Sequence, residues 1–406
     1  MNLIKQYDRE EIRYIIYVMF ILTSVIALTS WSATHPDSLE NMILKCIRYV
    51  SYLGCVICIA MNVANRKYSI RSFYFLVFML LTSGVAMLAS GERTVFLFVL
   101  LLGCMYGCDG EKILKISCIV QGSALLLITF AALMGVISNP IVDAERMRYS
   151  LGFAWASYAP NLLLFVSMQY MLIRRNKISW LEIAVIEALN VCFFFQTDTK
   201  MSFLILTFLC VLMVLNKVTN IRKGLLRVKH QVFKLKKGYM LLPWLCALLA
   251  ILLPLYRQES IFWNVLNKGF SGRLLYGKNA LTDYGLSFFG QAINMEGFSV
   301  AGRTTEVYNY VDSSYLQIAI RYGIVLLICV CLLYGMGLLK MYRRKDGRAV
   351  LFLLVILLLC MEEPFLFDAA FNLAPVFIVC DKDALNVPYY SKIVRKKKVE
   401  NHHYEN

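Results

Sequence analysis

The chain has 406 residues, 59% of them hydrophobic and only 17% charged, with a mean hydropathy of +0.62 and a formal net charge of +16. A soluble chain so apolar would lack a polar surface, so the composition is that of an integral membrane protein. The positive charge needs no nucleic acid to explain it, because anionic lipid at an inner leaflet attracts basic loops.

Twelve apolar stretches follow in chain order, at 12–30, 46–64, 72–89, 94–108, 113–138, 158–173, 179–196, 201–216, 239–256, 314–338, 349–361 and 364–380. Most approach the ~20 residues that a ~30 Å hydrocarbon core requires. The fourth and eleventh are short, which leaves tilt, local thinning or a re-entrant hairpin open there. The expected fold is an all-α polytopic membrane protein of about 12 transmembrane helices, with one long extracytoplasmic loop. Residues 1–256 supply nine helices, 257–313 the long loop, 314–380 the last three helices and 381–406 a basic tail.

Lys and Arg orient the chain. Thirty of the 42 fall on alternate segments: the N-terminus, 65–71, 109–115, 174–177, the linker 217–238, 340–348 and the tail. Both termini are therefore expected in the cytoplasm, and the membrane expected is the cell membrane. The first span is too long for a signal peptide, and no small-residue cleavage site follows it. The 13 cysteines lie mostly inside spans. Cys55 and Cys58 form a C-x-x-C with no second pair, which reads as packing rather than metal or redox work. Gly103 and Gly107 form a G-x-x-x-G and predict close helix packing. No internal repeat is visible, and no cysteine falls in 257–313 to support a disulfide framework.

The remaining 12 basic residues lie on the side where the charge rule does not want them. Arg146 and Arg148 occupy the outer loop 139–157, and Arg273 and Arg303 lie in the long loop. Arg93, Lys200 and Arg321 sit at or within span ends, where an ionisable group is expensive. One reading of each is a snorkelling or locally paired side chain, with Glu92 beside Arg93 and Asp198 near Lys200 as partners. As a set, the guanidinium groups suit a phosphate or pyrophosphate ligand, because the planar fork binds such oxygens bidentately. No soluble nucleotide reaches that face of a bacterial membrane, so polymer-forming chemistry there needs a lipid-pyrophosphate-linked sugar. Such a donor asks for cations at the leaving group and a base at the acceptor hydroxyl, but for no cofactor and no metal. Carboxylates available on that face are Asp143, Glu145, Asp283, Glu296, Glu306, Asp312, Glu362 and Glu363.

Four segments in order carry a family resemblance: Tyr149-Ser-Leu-Gly-Phe153 with Pro160-Asn161; Thr197-Asp-Thr-Lys-Met-Ser202; Phe270-Ser-Gly-Arg273; and Asp312-Ser-Ser-Tyr-Leu-Gln317 with Arg321-Tyr-Gly323. Together they make residues 93 to about 325 resemble the Wzy-type polysaccharide polymerases of the O-antigen polymerase and ligase superfamily. That resemblance implies a glycosyltransferase joining undecaprenyl-pyrophosphate-linked oligosaccharide repeats, for an O-antigen, capsule or exopolysaccharide. Its partners would be the lipid-linked donor and acceptor, membrane lipid, a flippase and a chain-length regulator. Arg93, Arg146, Arg148, Arg273 and Arg321 are the positions it implies for the pyrophosphate, and Asp312 for the base.

The chain also departs from the family pattern. The G-F-x-H-P-N-like stretch is lengthened to Gly-Phe-Ala-Trp-Ala-Ser-Tyr-Ala-Pro-Asn and has no histidine. The ligase branch places a histidine where Asp312 stands, whereas His35, His230, His402 and His403 all lie elsewhere. This favours a polymerase over a ligase. A flippase or exporter would predict charged residues along many spans and pseudo-symmetric halves, and the chain shows neither. For Asp312 the alternative is a helix N-cap before the apolar run from Tyr315, and for Ser271-Gly272-Arg273 a turn with a surface arginine. Glu362-Glu363-Pro364 could complement Arg273 or Arg303 as a structural ion pair. Among polar residues inside spans (Gln121, Asn190, Gln196, Asp368 and Asn372), Asp368 is the costliest if unpaired.

Overall fold

The computed structural model describes residues 2–143, 146–218, 238–256, 259–295, 297, 300 and 309–380, with backbone only for 2–9. Residues 219–237 of the basic linker, the tail 381–406, and Glu145, Glu296, Arg303 and Glu306 lie outside the described residues.

The protein is mostly helical, and seven of the described helices are long and apolar enough to cross a membrane: Leu39–Ala64, Ile70–Ser90, Gly110–Leu133, Trp180–Thr197, Lys200–Lys217, Gly238–Leu255 and Ile324–Arg343. Their ends follow local chemistry. Ser38, Ser69, Asp109 and Ser179 each accept a backbone N–H at a helix start, and Ser179 with Glu182 forms a reciprocal capping box. Asn2–Ile26 packs on Leu39–Ala64 and Gly110–Leu133. Gly103 lies against Ile59 and Leu76, as its small size predicts. Cys55 and Cys58 are free and buried, consistent with packing.

Thr94–Met105, at 12 residues, reaches only about 18 Å at 1.5 Å per residue. Phe98, Val99, Leu101, Leu102, Cys104 and Met105 along it are all buried, so surrounding protein rather than lipid covers this short element. Gly347–Leu359 is similarly short.

Two expected spans differ from the structure. The stretch 314–338 is a broken helix: Ser314–Gln317 runs into a π-helical turn Ile318–Tyr322, and Ile324–Arg343 starts afresh after Gly323. Gly323 has φ 101, a conformation available cheaply only to glycine, and its N–H returns to Ile318 O at 2.7 Å. The stretch 364–380 is helical only over Ala374–Cys380, and 360–373 is a folded irregular segment. Its carbonyls are met by buried side chains: Ser314 Oγ donates to Glu363 O, Tyr334 Oη and Asn372 Nδ2 to Leu366 O, and Gln121 Nε2 to Ala370 O. Such backbone is tolerated in an apolar setting only where protein satisfies it. Gln121 and Asn372 thus brace an irregular segment.

The stretch 257–313 is not a bare loop. It holds helices Ile261–Gly269 and Arg273–Tyr284, and Gln291 Nε2 ties its later part to Ile320 O. The segment 139–157 contributes a small hairpin pairing Ile141–Asp143 with Arg148–Tyr149.

Candidate functional site

Arg273 is aimed by the turn in front of it. Ser271 (φ 52) and Gly272 (φ 83) adopt left-handed backbone, Gly272 N–H closes on Asn267 O at 2.8 Å, and Arg273 opens the next helix. The turn is the one expected, but the arginine is not a surface residue, with its side chain only 25% exposed. Its Nε lies 3.4 Å from Asp312 Oδ2, Nη1 3.3 Å from Glu362 Oε2 and Nη2 2.9 Å from Glu363 Oε1. Glu362 and Glu363 are almost wholly buried. The ion pair expected between Arg273 and the Glu362-Glu363 turn is therefore present, and Asp312 joins it.

Asp312 is not a helix cap. Ser313 occupies the N-cap position without capping, and the aspartate faces Arg273. Ser314 stitches the two strands of this centre, its N–H donating to Cys360 O at 3.1 Å and its Oγ accepting from Leu366 N at 3.0 Å.

One guanidinium faces three carboxylates. Burial opposes the Arg273 charge, but Glu363, Asp312 and Glu362 outweigh it and hold its pKa above the ordinary value. Burial pushes the Glu362 carboxyl up to about 7 against the pull of Arg273, with Glu363 and Asp312 adding repulsion. Burial raises Glu363 as well. The centre is poised to hold a proton near neutral pH.

The other predicted arginines divide. Arg148 donates from Nε to Thr197 O at 2.6 Å and from Nη2 to Thr199 Oγ1 at 3.2 Å, and its charge acts on Glu363. It makes no ion pair among the described residues. This links the Tyr149 and Thr197 motif segments to the Arg273 centre. Arg146 lies further out, 2.8 Å from Asp143 and 3.9 Å from Asp198. Arg321 Nη2 is 2.7 Å from Glu92 Oε1. Arg93 is exposed at the start of Thr94–Met105 and makes no ion pair among the described residues. The expected local pairs are thus replaced: Glu92 serves Arg321 instead of Arg93, and Asp198 faces Arg146 instead of Lys200.

Beside this centre lies a polar cavity of 160 Å³ whose walls include Glu92, Arg321, Gln317, Tyr158, Tyr310 and Asp368. Trp155 backs Tyr310 with ring centroids 5.4 Å apart. Sequence reasoning missed this aromatic wall, although the signal was the lengthened stretch between Gly152 and Pro160, which supplies Trp155 and Tyr158. It also missed Glu187, inside Trp180–Thr197, whose Oε1 accepts from Thr207 Oγ1 at 2.6 Å. A larger cavity of 650 Å³ opens between Tyr158–Arg174 and Gly347–Leu359, near Arg175 and Asp346, and none of the predicted site residues lines it. Among the described residues no group of His, Cys, Asp and Glu could hold a metal ion.

No family profile matches the chain, and neither a curated protein nor a solved structure does. Fold and composition define the class as a helical membrane protein.

Proposed function

We propose that the chain is a membrane glycosyltransferase that polymerises lipid-pyrophosphate-linked oligosaccharide repeat units on the outer face of the cell membrane. One observation carries the reading: Arg273 and Asp312, from two of the four motif segments, meet Glu362 and Glu363, with Arg148 acting on Glu363 and a polar cavity next to them.

In this reading the departing pyrophosphate is neutralised by Arg148 and Arg273. Arg148 is uncommitted to any carboxylate among the described residues, so it can accept an anion without losing an ion pair. Arg273 is already surrounded by acids. An arriving anion would raise the Glu362 and Glu363 pKa values further, and proton uptake there would free the guanidinium for phosphate oxygens. Arg93, exposed near the cavity, and Arg146, on the hairpin, would guide the donor headgroup rather than bind it in the centre. Asp312 holds Arg273 in place.

The test is reconstitution. The purified chain in liposomes should elongate lipid-pyrophosphate-linked oligosaccharides extracted from the source cells, giving a ladder on a gel, and should not use sugar nucleotides. Transfer to lipid A alone would indicate the ligase activity, and translocation without elongation an exporter. Either result would refute the polymerase reading.

A further inference from the structure

Of the four carboxylates around the candidate centre, three are engaged by Arg273, and Asp368 is the exception. Its Oδ1 accepts the Ala370 N–H at 2.8 Å, and no ion pair or second hydrogen bond reaches it among the described residues. Asp368 lines the 160 Å³ cavity. Arg321, whose Nη2 is held by Glu92, lines the same cavity together with Gln317. A carboxylate with one oxygen uncommitted among the described residues therefore shares a small polar chamber with a guanidinium and an amide side chain. Each hydroxyl of a sugar can both donate and accept, which matches a lining of mixed acceptors and donors. The rings of Tyr158 and Tyr310 offer flat apolar walls, suited to the C–H face of a pyranose. Drug-sized ligands fill about 300–1,000 Å³, so this chamber takes a single ring and not an oligosaccharide.

We propose that the cavity is a one-sugar subsite for the terminal residue of the acceptor, and that Asp368 is the base that takes its hydroxyl proton. The inference rests on the glycosyl-transfer reading above and moves the base from Asp312 to Asp368. In the step, the acceptor hydroxyl gives its proton to Asp368 Oδ2 while its oxygen forms a bond to the donor's anomeric carbon. The bond from that carbon to the pyrophosphate oxygen breaks, and its electron pair leaves with the lipid pyrophosphate. Arg321 and Gln317, on the wall of the same cavity, hold neighbouring hydroxyls and fix the ring.

The experiment compares wild type, Asp368→Asn, Asp368→Glu and Tyr310→Leu in the liposome elongation assay, each matched to wild type for unfolding temperature. Asp368→Asn should lower kcat by about 10²–10⁴-fold while protection from heat by the lipid-linked donor stays unchanged. Asp368→Glu should recover part of the rate. Tyr310→Leu should raise the acceptor KM about tenfold and leave kcat near wild type, and it serves where Asp368→Asn does not fold. Wild-type elongation with a near-normal rate in Asp368→Asn, or an unchanged acceptor KM in Tyr310→Leu, overturns the subsite and leaves the polymerase reading standing. Absence of elongation in wild type overturns both.

Discussion

Arg273→Ala removes the cation that, among the described residues, forms the ion pairs with two nearly inaccessible glutamates and a partly exposed aspartate. Removing one partner of a buried ion pair costs about 3–5 kcal/mol, because the partner charge remains buried and uncompensated. Two features place Arg273 at the lower end of that range. Its side chain is 25% exposed, so water screens part of the interaction. The Glu362 carboxyl, with a pKa near 7 even beside the arginine, can also escape the penalty by taking up a proton. The cost should therefore depend on pH. At pH 8, where proton uptake is opposed, the expected loss is about 3 kcal/mol, more than a hundredfold in the folded-to-unfolded ratio. At pH 6 it should fall to roughly half. Equilibrium unfolding in mild detergent at the two pH values measures the difference. The double variant Arg273→Ala/Glu363→Gln should regain much of the stability at pH 8 without regaining elongation, which separates the fold role from the ligand role. An equal loss at both pH values, or none, would falsify the three-carboxylate account of this centre.

Three further outcomes are expected. Glu362→Gln should flatten the pH dependence of wild-type stability. A carboxyl raised from 4.5 to about 7 holds its proton more tightly when folded, so stability declines as pH rises between those values, and glutamine has no such decline. Gly323→Ala should cost about 2–5 kcal/mol, since a Cβ at φ 101 would collide with Phe288 O and lie 2.8 Å from Gly290 N; a wild-type unfolding midpoint would show that the break is not strained. On a cysteine-free background, an impermeant thiol reagent applied outside should modify Asp283→Cys and spare Asn176→Cys, and the reverse pattern would invert the topology and end the outer-face mechanism.

Apolar runs and alternating basic loops made most of the helices legible, because hydropathy reports burial away from water. They do not distinguish burial in lipid from burial in protein, and 364–380 shows the cost. Phe365, Leu366, Phe367 and Phe371 read as a span, yet they are buried in an irregular segment surrounded by other helices. Pro364, Asp368 and Asn372 were the local signals against a continuous helix there. Gly323 was likewise visible inside 314–338, but a glycine within an apolar run does not declare its φ. At the site, the motif order located Arg273 and Asp312, and the adjacent glutamates were recognisable as pairing partners. Neighbours in sequence misassigned Glu92 and Asp198, since Glu92 lies just before a helix start and Asp198 is a left-handed helix C-cap, where consecutive side chains diverge. The Tyr158, Tyr310 and Asp368 cavity joins three distant segments, and the lengthened stretch before Pro160 was its linear trace.

The irregular stretch 360–373 also constrains the order in which the protein is built. Its carbonyl groups are satisfied by Gln121, Ser314 and Tyr334, all of which leave the ribosome earlier. Until those residues are in position, the segment has no substitute for water and cannot settle into an apolar surrounding. Two of the three carboxylates that face Arg273, Glu362 and Glu363, belong to this same late piece, so the ion-pair centre is completed only after residue 363 has been made. An intermediate halted before residue 360 would hold Arg273 and Asp312 without the two glutamates that share the guanidinium.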